Sequence, residues 1–256
     1  MSLEIPKYYD SSGKVSYEAD SCVPLRSAWK ENALELATLV RGTYPGRQLL
    51  EDELAGIKSI GYWNIKKTQP WGLDWHTNEG LEICFLESGS LDFMVKNDRY
   101  KLQTNDITIT RPWIIHKIGA PNVDLSKFHW MILDVNVRHP HQQWEWPDWL
   151  ILNPRDLKEL TLLLRQNEQA VWKADQEFRD CFIQIGKMIK KSEAQEYDSK
   201  LKIQINNMLA LLLDIFREGN IVLDQSLVES KRSVELFLQS LESKIDEDWT
   251  VVQMAD

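Results

Sequence analysis

His76, Glu82 and His116 are the side chains of this sequence whose types and spacing could do chemistry together. Two imidazoles and a carboxylate form a donor set for a divalent transition metal. The same groups in an apolar pocket can hydrogen-bond an organic ligand, and they can also satisfy one another as plain structure. His76 opens the string His76-Thr-Asn-Glu-Gly-Leu-Glu82, and Gly89 follows Glu82 after six intervening residues. Asn105-Asp106, Pro112 and His116 come later. Trp63 and Trp130, with Trp75 and Trp113, are candidate pocket walls, since ligand pockets are mainly apolar and aromatic with few polar groups; each is equally a core residue by type. Arg111, between Thr110 and Pro112, would take a carboxylate or sugar hydroxyls if it points inward, and would be a solvated strand residue if it points outward. His139 and His141 flank Pro140 with no third partner and read as loop residues. No Ser/His/Asp or Cys/His set stands out, and no glycine-rich phosphate loop is present.

The elements that must carry these residues are strands. From Ile57 the sequence alternates in the period-2 manner of half-buried strands, and Pro70-Trp-Gly72 closes the first of them. Strand-like runs recur at 81–87, 91–96, 99–102, 107–111, 114–118 and 128–135, separated by Gly, Asn and Asp turn signals. Short, regular strands of this kind predict a sandwich or barrel over residues 55–150. Before them, residues 1–54 read as an arm with a short amphipathic helix over Ser27–Val40. After them, the tryptophans Trp144, Trp146 and Trp149 are expected to pack across one end of the barrel and tie it to the first helix of the second half.

That second half is helical. Asn153 fits an N-cap and Pro154 the first helical position. Helices are predicted at about 154–167, 175–191, 197–218 and 229–245, those over 151–222 forming a helical region of their own. In the third, Leu201, Ile205, Met208, Leu212 and Ile215 form a heptad-like stripe. A buried core helix shows the same stripe. Because Leu209, Leu211, Leu213 and Phe216 are apolar too, this helix needs two partners, and the second is expected to be the same helix of a second subunit. At Thr250–Gln253 a capping box opens a further helix, yet the sequence stops at Asp256.

Composition narrows the function classes. The 256 residues carry a net charge of -9, and from Lys190 to Asp256 there are 8 Lys or Arg against 13 Asp or Glu. Duplex DNA is held largely through basic residues on phosphates, so this chain by itself is expected to bind DNA poorly. No membrane association is expected, because the longest apolar run, Met208–Leu213, is too short to span a bilayer. The three cysteines form no zinc pattern and no disulfide framework, and a reducing cytoplasm is the simplest compartment.

The barrel stretch resembles the cupin motifs. Glu82 and Gly89 match the first; Asn105-Asp106, Pro112 and His116 are similar to the second. It departs from them in having Asp74 where the family's first histidine stands, Asn105 where the second turn has glycine, and one residue fewer between Pro112 and His116. These departures argue against a bound metal. Over residues 55–256 the chain resembles the front part of an AraC-type transcription regulator. Ile107–Trp113 with His116 looks like the last barrel strands, and helix 197–218 sits where the family puts its dimerisation helix. Ser233–Ile245 with Trp249–Ala255 is similar to the start of the DNA-binding domain, so that residues 228–256 would be a truncated helix-turn-helix. The resemblance implies a cupin-like double-stranded β-helix barrel followed by packing and dimerisation helices. It further implies a small-molecule effector contacted by His76, Glu82, Arg111, His116, Trp63 and Trp130, a homodimer, no cofactor, and DNA contact only through the missing C-terminal part. The alternative is a metal-dependent cupin enzyme, a dioxygenase or isomerase.

Overall fold

The structure is a computed structural model that describes residues 6–9, 16–19, 22–139, 142–191, 198–219, 221 and 223. The expected helix at 229–245, the expected helix-turn-helix opening at 228–256, and His141 lie outside the described residues. The arm contributes a hairpin of β1 (Lys7–Tyr9) and β2 (Ser16–Glu18), the helix α1 (Val23–Lys30), then β3 (Glu35–Val40) and β4 (Arg47–Gln48). The central strands are β5 (Ile57–Ile65), β6 (Leu73–His76), β7 (Leu81–Val95), β8 (Asp98–Gln103), β9 (Asp106–Thr110), β10 (His116–Ile118) and β11 (Ser126–Leu133). Helix α2 (Pro154–Arg165), strand β12 (Val171–Lys173) and helices α3 (Gln176–Lys191) and α4 (Asp198–Glu218) follow. The order is strands, then helices, in a cupin-like fold.

Two of the expected elements differ. The helix expected over Ser27–Val40 is only α1; Asn32 turns left-handed at φ 56, and β3 follows. Leu36 and Val40 are four residues apart, a spacing that keeps two side chains on one face of a helix and also on one face of a strand. Pairing of Glu35–Val40 with β5 selects the strand. The runs at 81–87 and 91–96 are one strand, β7, bent at Gly89. Gly89 has φ 91, and a Cβ there would meet the Leu125 carbonyl oxygen at 2.0 Å, so the bend needs glycine.

That bend organises the fold. Ten strands are hydrogen-bonded into one sheet. The first half of β7 lies between β9 and β11, and the second half pairs with β8 and β10. β7 therefore belongs to two layers, β12-β9-β7-β11-β5-β3-β4 and a smaller one of β6, β10, β7 and β8. Side chains alternate between two cores. Ile83, Phe85, Met131 and Leu133 pack outward against Phe178, Phe182 and Ile185 of α3 and against α4. Cys84, Leu86, Phe128, Trp130 and Ile132 point inward with Trp63 and Phe93. Each large apolar side chain so buried contributes about 1.5–3 kcal/mol. At the β8–β9 turn Asn105 adopts φ 71 and the Asp106 carboxylate accepts the Gln103 N–H at 2.7 Å. Asparagine tolerates this left-handed region, so it serves where the cupin motif has glycine.

The helices close over the outer layer. Asn153 caps α2, its side chain accepting the Asp156 N–H at 2.9 Å, with Pro154 in the first turn. Trp146 donates to Thr161 Oγ1 at 2.9 Å and Trp149 to the Ala55 carbonyl at 2.8 Å, tying the loop to α2 and to the sheet edge. The α4 stripe corrects an expectation. Leu201, Ile205, Met208 and Leu212 are buried within a single protomer, and Ile215 is half-buried in the same core. They are not free to form a seam between subunits. A core stripe and a coiled-coil seam share the 3–4 spacing, and the sheet and α3 already occupy this one. The solvent face of α4 is Ile203, Asn207, Ala210 and Asp214.

Candidate functional site

Between the two layers lies a cavity whose polar end is built by three strands. β6 ends on His76, which is the registered partner of His116 in β10. Glu82 comes from the start of β7. Trp113 sets up the approach to β10: it takes φ 64, its backbone N–H donates to the Asn78 carbonyl at 2.8 Å, and its indole N–H donates to the Val137 carbonyl at 2.7 Å. The imidazoles of His76 and His116 then lie with ring centroids 4.2 Å apart, and His116 Nε2 is 2.8 Å from Glu82 Oε2.

Protonation follows from the partners. His116 Nδ1 faces the Ile114 carbonyl at 2.9 Å and His76 Nδ1 faces the Asp74 carbonyl at 2.6 Å. A carbonyl oxygen only accepts, so each Nδ1 carries a hydrogen. His116 Nε2 and Glu82 therefore share one proton between them. Burial pushes the Glu82 carboxyl up, but His116 and then His76 overcome this and hold it below the usual carboxylate range. Cys84, two residues on and on the same face, is pushed well up by burial and by Glu82, and is a thiol rather than a thiolate.

The remainder is apolar and aromatic. Trp63 packs against Trp130 at 5.6 Å and against Phe128 at 5.0 Å between ring centroids. Their indole N–H groups are used inside the protein: Trp63 donates to Ser126 Oγ at 3.2 Å and Trp130 to Ser59 Oγ at 2.8 Å. Cys22 and Leu25 of the α1 region and Tyr44 line the same cavity. The Tyr44 hydroxyl donates to Glu79 Oε2 at 2.9 Å. Burial raises the pKa of both groups, with Glu79 adding to the rise at Tyr44 and Lys58 opposing it at Glu79. The space left free for a water-sized body is about 30 Å³, room for about one or two water molecules.

Of the residues singled out in the sequence, His76, Glu82, His116, Trp63 and Trp130 line this one cavity. Arg111 does not. Its guanidinium turns away from the cavity, donating to the Arg165 carbonyl at 2.7 Å and to Glu168 Oε1 at 2.6 Å, because those acceptors at and just after the end of α2 pair a charge that the cavity would leave beside aromatic walls. Among the described residues no group of three or more His, Cys, Asp or Glu side chains has an arrangement that could hold a metal ion. Cys84 and Thr108 were legible by parity and pairing: Cys84 shares a face with Glu82 and is registered with Thr108. Cys22, Leu25 and Tyr44 carry no such signal, since they reach the cavity from the arm, far away in sequence.

The model of the AraC-like ligand binding domain matches residues 66–209, more than half of the chain. No curated protein matches the sequence. Among solved structures, ToxT from Vibrio cholerae strain SCE256 with a bound unsaturated fatty acid is 8% identical, with a TM-score of 0.39 over 80% of this chain and 69% of that one. A cupin superfamily protein from Desulfitobacterium hafniense DCB-2 is 11% identical, with a TM-score of 0.29 over 39% of this chain and 78% of that one. A conserved protein from Streptococcus pyogenes is 15% identical, with a TM-score of 0.28 over 39% and 75%. Among the described residues no helix is long and apolar enough to cross a membrane. By the match over residues 66–209, this chain belongs to the family of AraC-like ligand binding domains.

Proposed function

We propose that this chain is the effector-sensing part of an AraC-type, DNA-binding transcription regulator of the cytoplasm, and not an enzyme. The observation that carries the reading is a cavity with aromatic walls and a polar end where His76, Glu82 and His116 meet, covered by the α1 region. An effector larger than a water or two must displace Leu25 or its neighbours. Occupancy of the cavity would thereby be coupled to the position of α1, shifting a population between two arrangements. A second route outward is β11, which presents Trp130 to the cavity and His129 to α3. DNA contact belongs to the part of the regulator that follows the ligand-binding domain. Self-association belongs to the same reading, and the face of α4 left for it is Ile203, Asn207, Ala210 and Asp214.

The test is a small-molecule screen on the full chain, read by thermal unfolding. Compounds that raise the midpoint should lose their effect in Trp130→Leu. The full-length protein should bind a defined DNA site in an effector-dependent gel shift. Hits that keep their effect in the variant would move the effector site elsewhere. A full-length protein that binds no site, together with about one metal ion per chain in elemental analysis, would favour the cupin-enzyme reading instead.

A further inference from the structure

Resting on the reading of this cavity as an effector site, we infer that it selects a small organic amine, with the ammonium at Glu82 and the apolar body on the Trp63–Trp130 wall, over a carboxylate of the same size.

Charge is the first reason. Among the described residues lining the cavity there is no lysine or arginine; the ionisable groups at its polar end are Glu82, Tyr44, Cys84 and the two histidines. The strand arginine that would have matched a carboxylate, Arg111, is turned to Glu168. Behind Tyr44 stands a second buried carboxyl, Glu79. Its nearest cation, Lys58, lies 3.8 Å away and is closer to Asp134, at 3.1 Å. His116 holds the Glu82 carboxyl below its usual range, so Glu82 brings an anion rather than a neutral acid to the cavity, with the proton that the two share lying on His116. A ligand carboxylate would be desolvated next to it.

The second reason is the sense of the hydrogen bonds. A carboxylate ligand needs donors. The Trp63 and Trp130 N–H groups are spent on Ser126 and Ser59, the Tyr44 hydroxyl on Glu79, and the Nδ1–H groups of His76 and His116 on the Asp74 and Ile114 carbonyls. What faces a ligand is a carboxylate, the π faces of indole rings and the Asn78 amide, and the first two attract an ammonium group. An amine brings a cation to the Glu82 carboxylate beside His116, whereas an acid sets a second carboxylate against it in one apolar space.

The experiment compares three ligands of matched shape on the full chain by calorimetry near pH 7: 2-phenylethylamine, 3-phenylpropionate and propylbenzene. The amine is expected to bind at least about tenfold more tightly than the other two. In Glu82→Gln, which keeps the shape and is checked for folding by its unfolding midpoint, that preference should fall to within about threefold. If the acid or the hydrocarbon binds as tightly as the amine, or if the glutamine variant keeps the amine preference, the inference fails while the effector cavity stands. If none of the three binds or perturbs unfolding, the amine inference fails, and the effector reading is decided separately by the wider screen.

Discussion

His129 and Trp130 are neighbours in β11 that serve opposite faces of one sheet. Trp130 lines the cavity, while His129 is buried on the other side, its ring centroid 6.0 Å from that of Phe182 in α3 and 5.3 Å from that of Tyr62. His129 Nε2 lies 2.6 Å from Glu87 Oε2, and Lys127 pairs with the same carboxylate at 2.8 Å. A packed imidazole thus joins the strand that carries Trp130 to α3.

This contact should make the fold acid-sensitive. Burial lowers the His129 pKa from 6.5 against the opposing pull of Glu87, so the ring is neutral and donates Nε2–H to the carboxylate. Glu87 is held at about 2 by hydrogen bonds from His129 and Lys127, which outweigh burial. Both folded pKa values are depressed. The stability they contribute is therefore present above the unfolded values and is lost as pH falls, first below 6.5 for His129 and then between 4.5 and about 2 for Glu87. Unfolding midpoints measured from pH 8 to pH 4 should decline, and His129→Gln should flatten the part between 6.5 and 5. An equally steep profile in the variant would assign the acid sensitivity to other groups.

Gly186→Ala should loosen α3. A Cβ at Gly186 would lie 2.9 Å from His129 Cε1 and 3.1 Å from Tyr62 Cδ1, too close for a rigid, enclosed pair of rings. Overpacking of this kind costs about 1–3 kcal/mol. Chemical denaturation should show that loss with an unchanged m-value; a neutral outcome would mean that the rings yield freely.

Charging the α4 stripe should unfold the protomer rather than split a dimer. Met208 and Leu212 are fully buried, and Met208→Glu or Leu212→Lys places an unpaired charge in the core, a change costing more than about 4 kcal/mol. Ile203→Glu, at a side chain 60% exposed, should keep the unfolding midpoint. Circular dichroism and light scattering on the three variants separate folding from association. A folded, monomeric Leu212→Lys would restore the stripe as a subunit seam.

Arg111→Ala should cost stability and leave ligand binding alone. The side chain bridges the end of β9 to Arg165 and Glu168, outside the cavity. Loss of these charge-assisted bonds costs about 1.5–3 kcal/mol. Calorimetry on the variant with any ligand of the wild-type chain should give an unchanged dissociation constant, and a loss of affinity would bring Arg111 back to the site.

The order of strands then helices, most strand positions, the Asn153 cap and the trio His76, Glu82 and His116 were determined by the sequence alone. Each rests on local chemistry: period-2 alternation, a capping side chain with proline, and turn residues that fix parity. Where the reading failed, the deciding partner was remote. Leu36 and Val40 satisfy helix and strand spacing alike, and only pairing with β5 makes them a strand. A 3–4 stripe of leucine-type residues states that α4 is buried, but not by which chain; the sheet and α3 of the same protomer decide that. The direction of Arg111 depended on Glu168, 57 residues away. Cys22, Leu25 and Tyr44 reach the cavity only because the arm is brought over it. Spacing along a chain reports which residues share a face, whereas what that face meets is set by long-range packing.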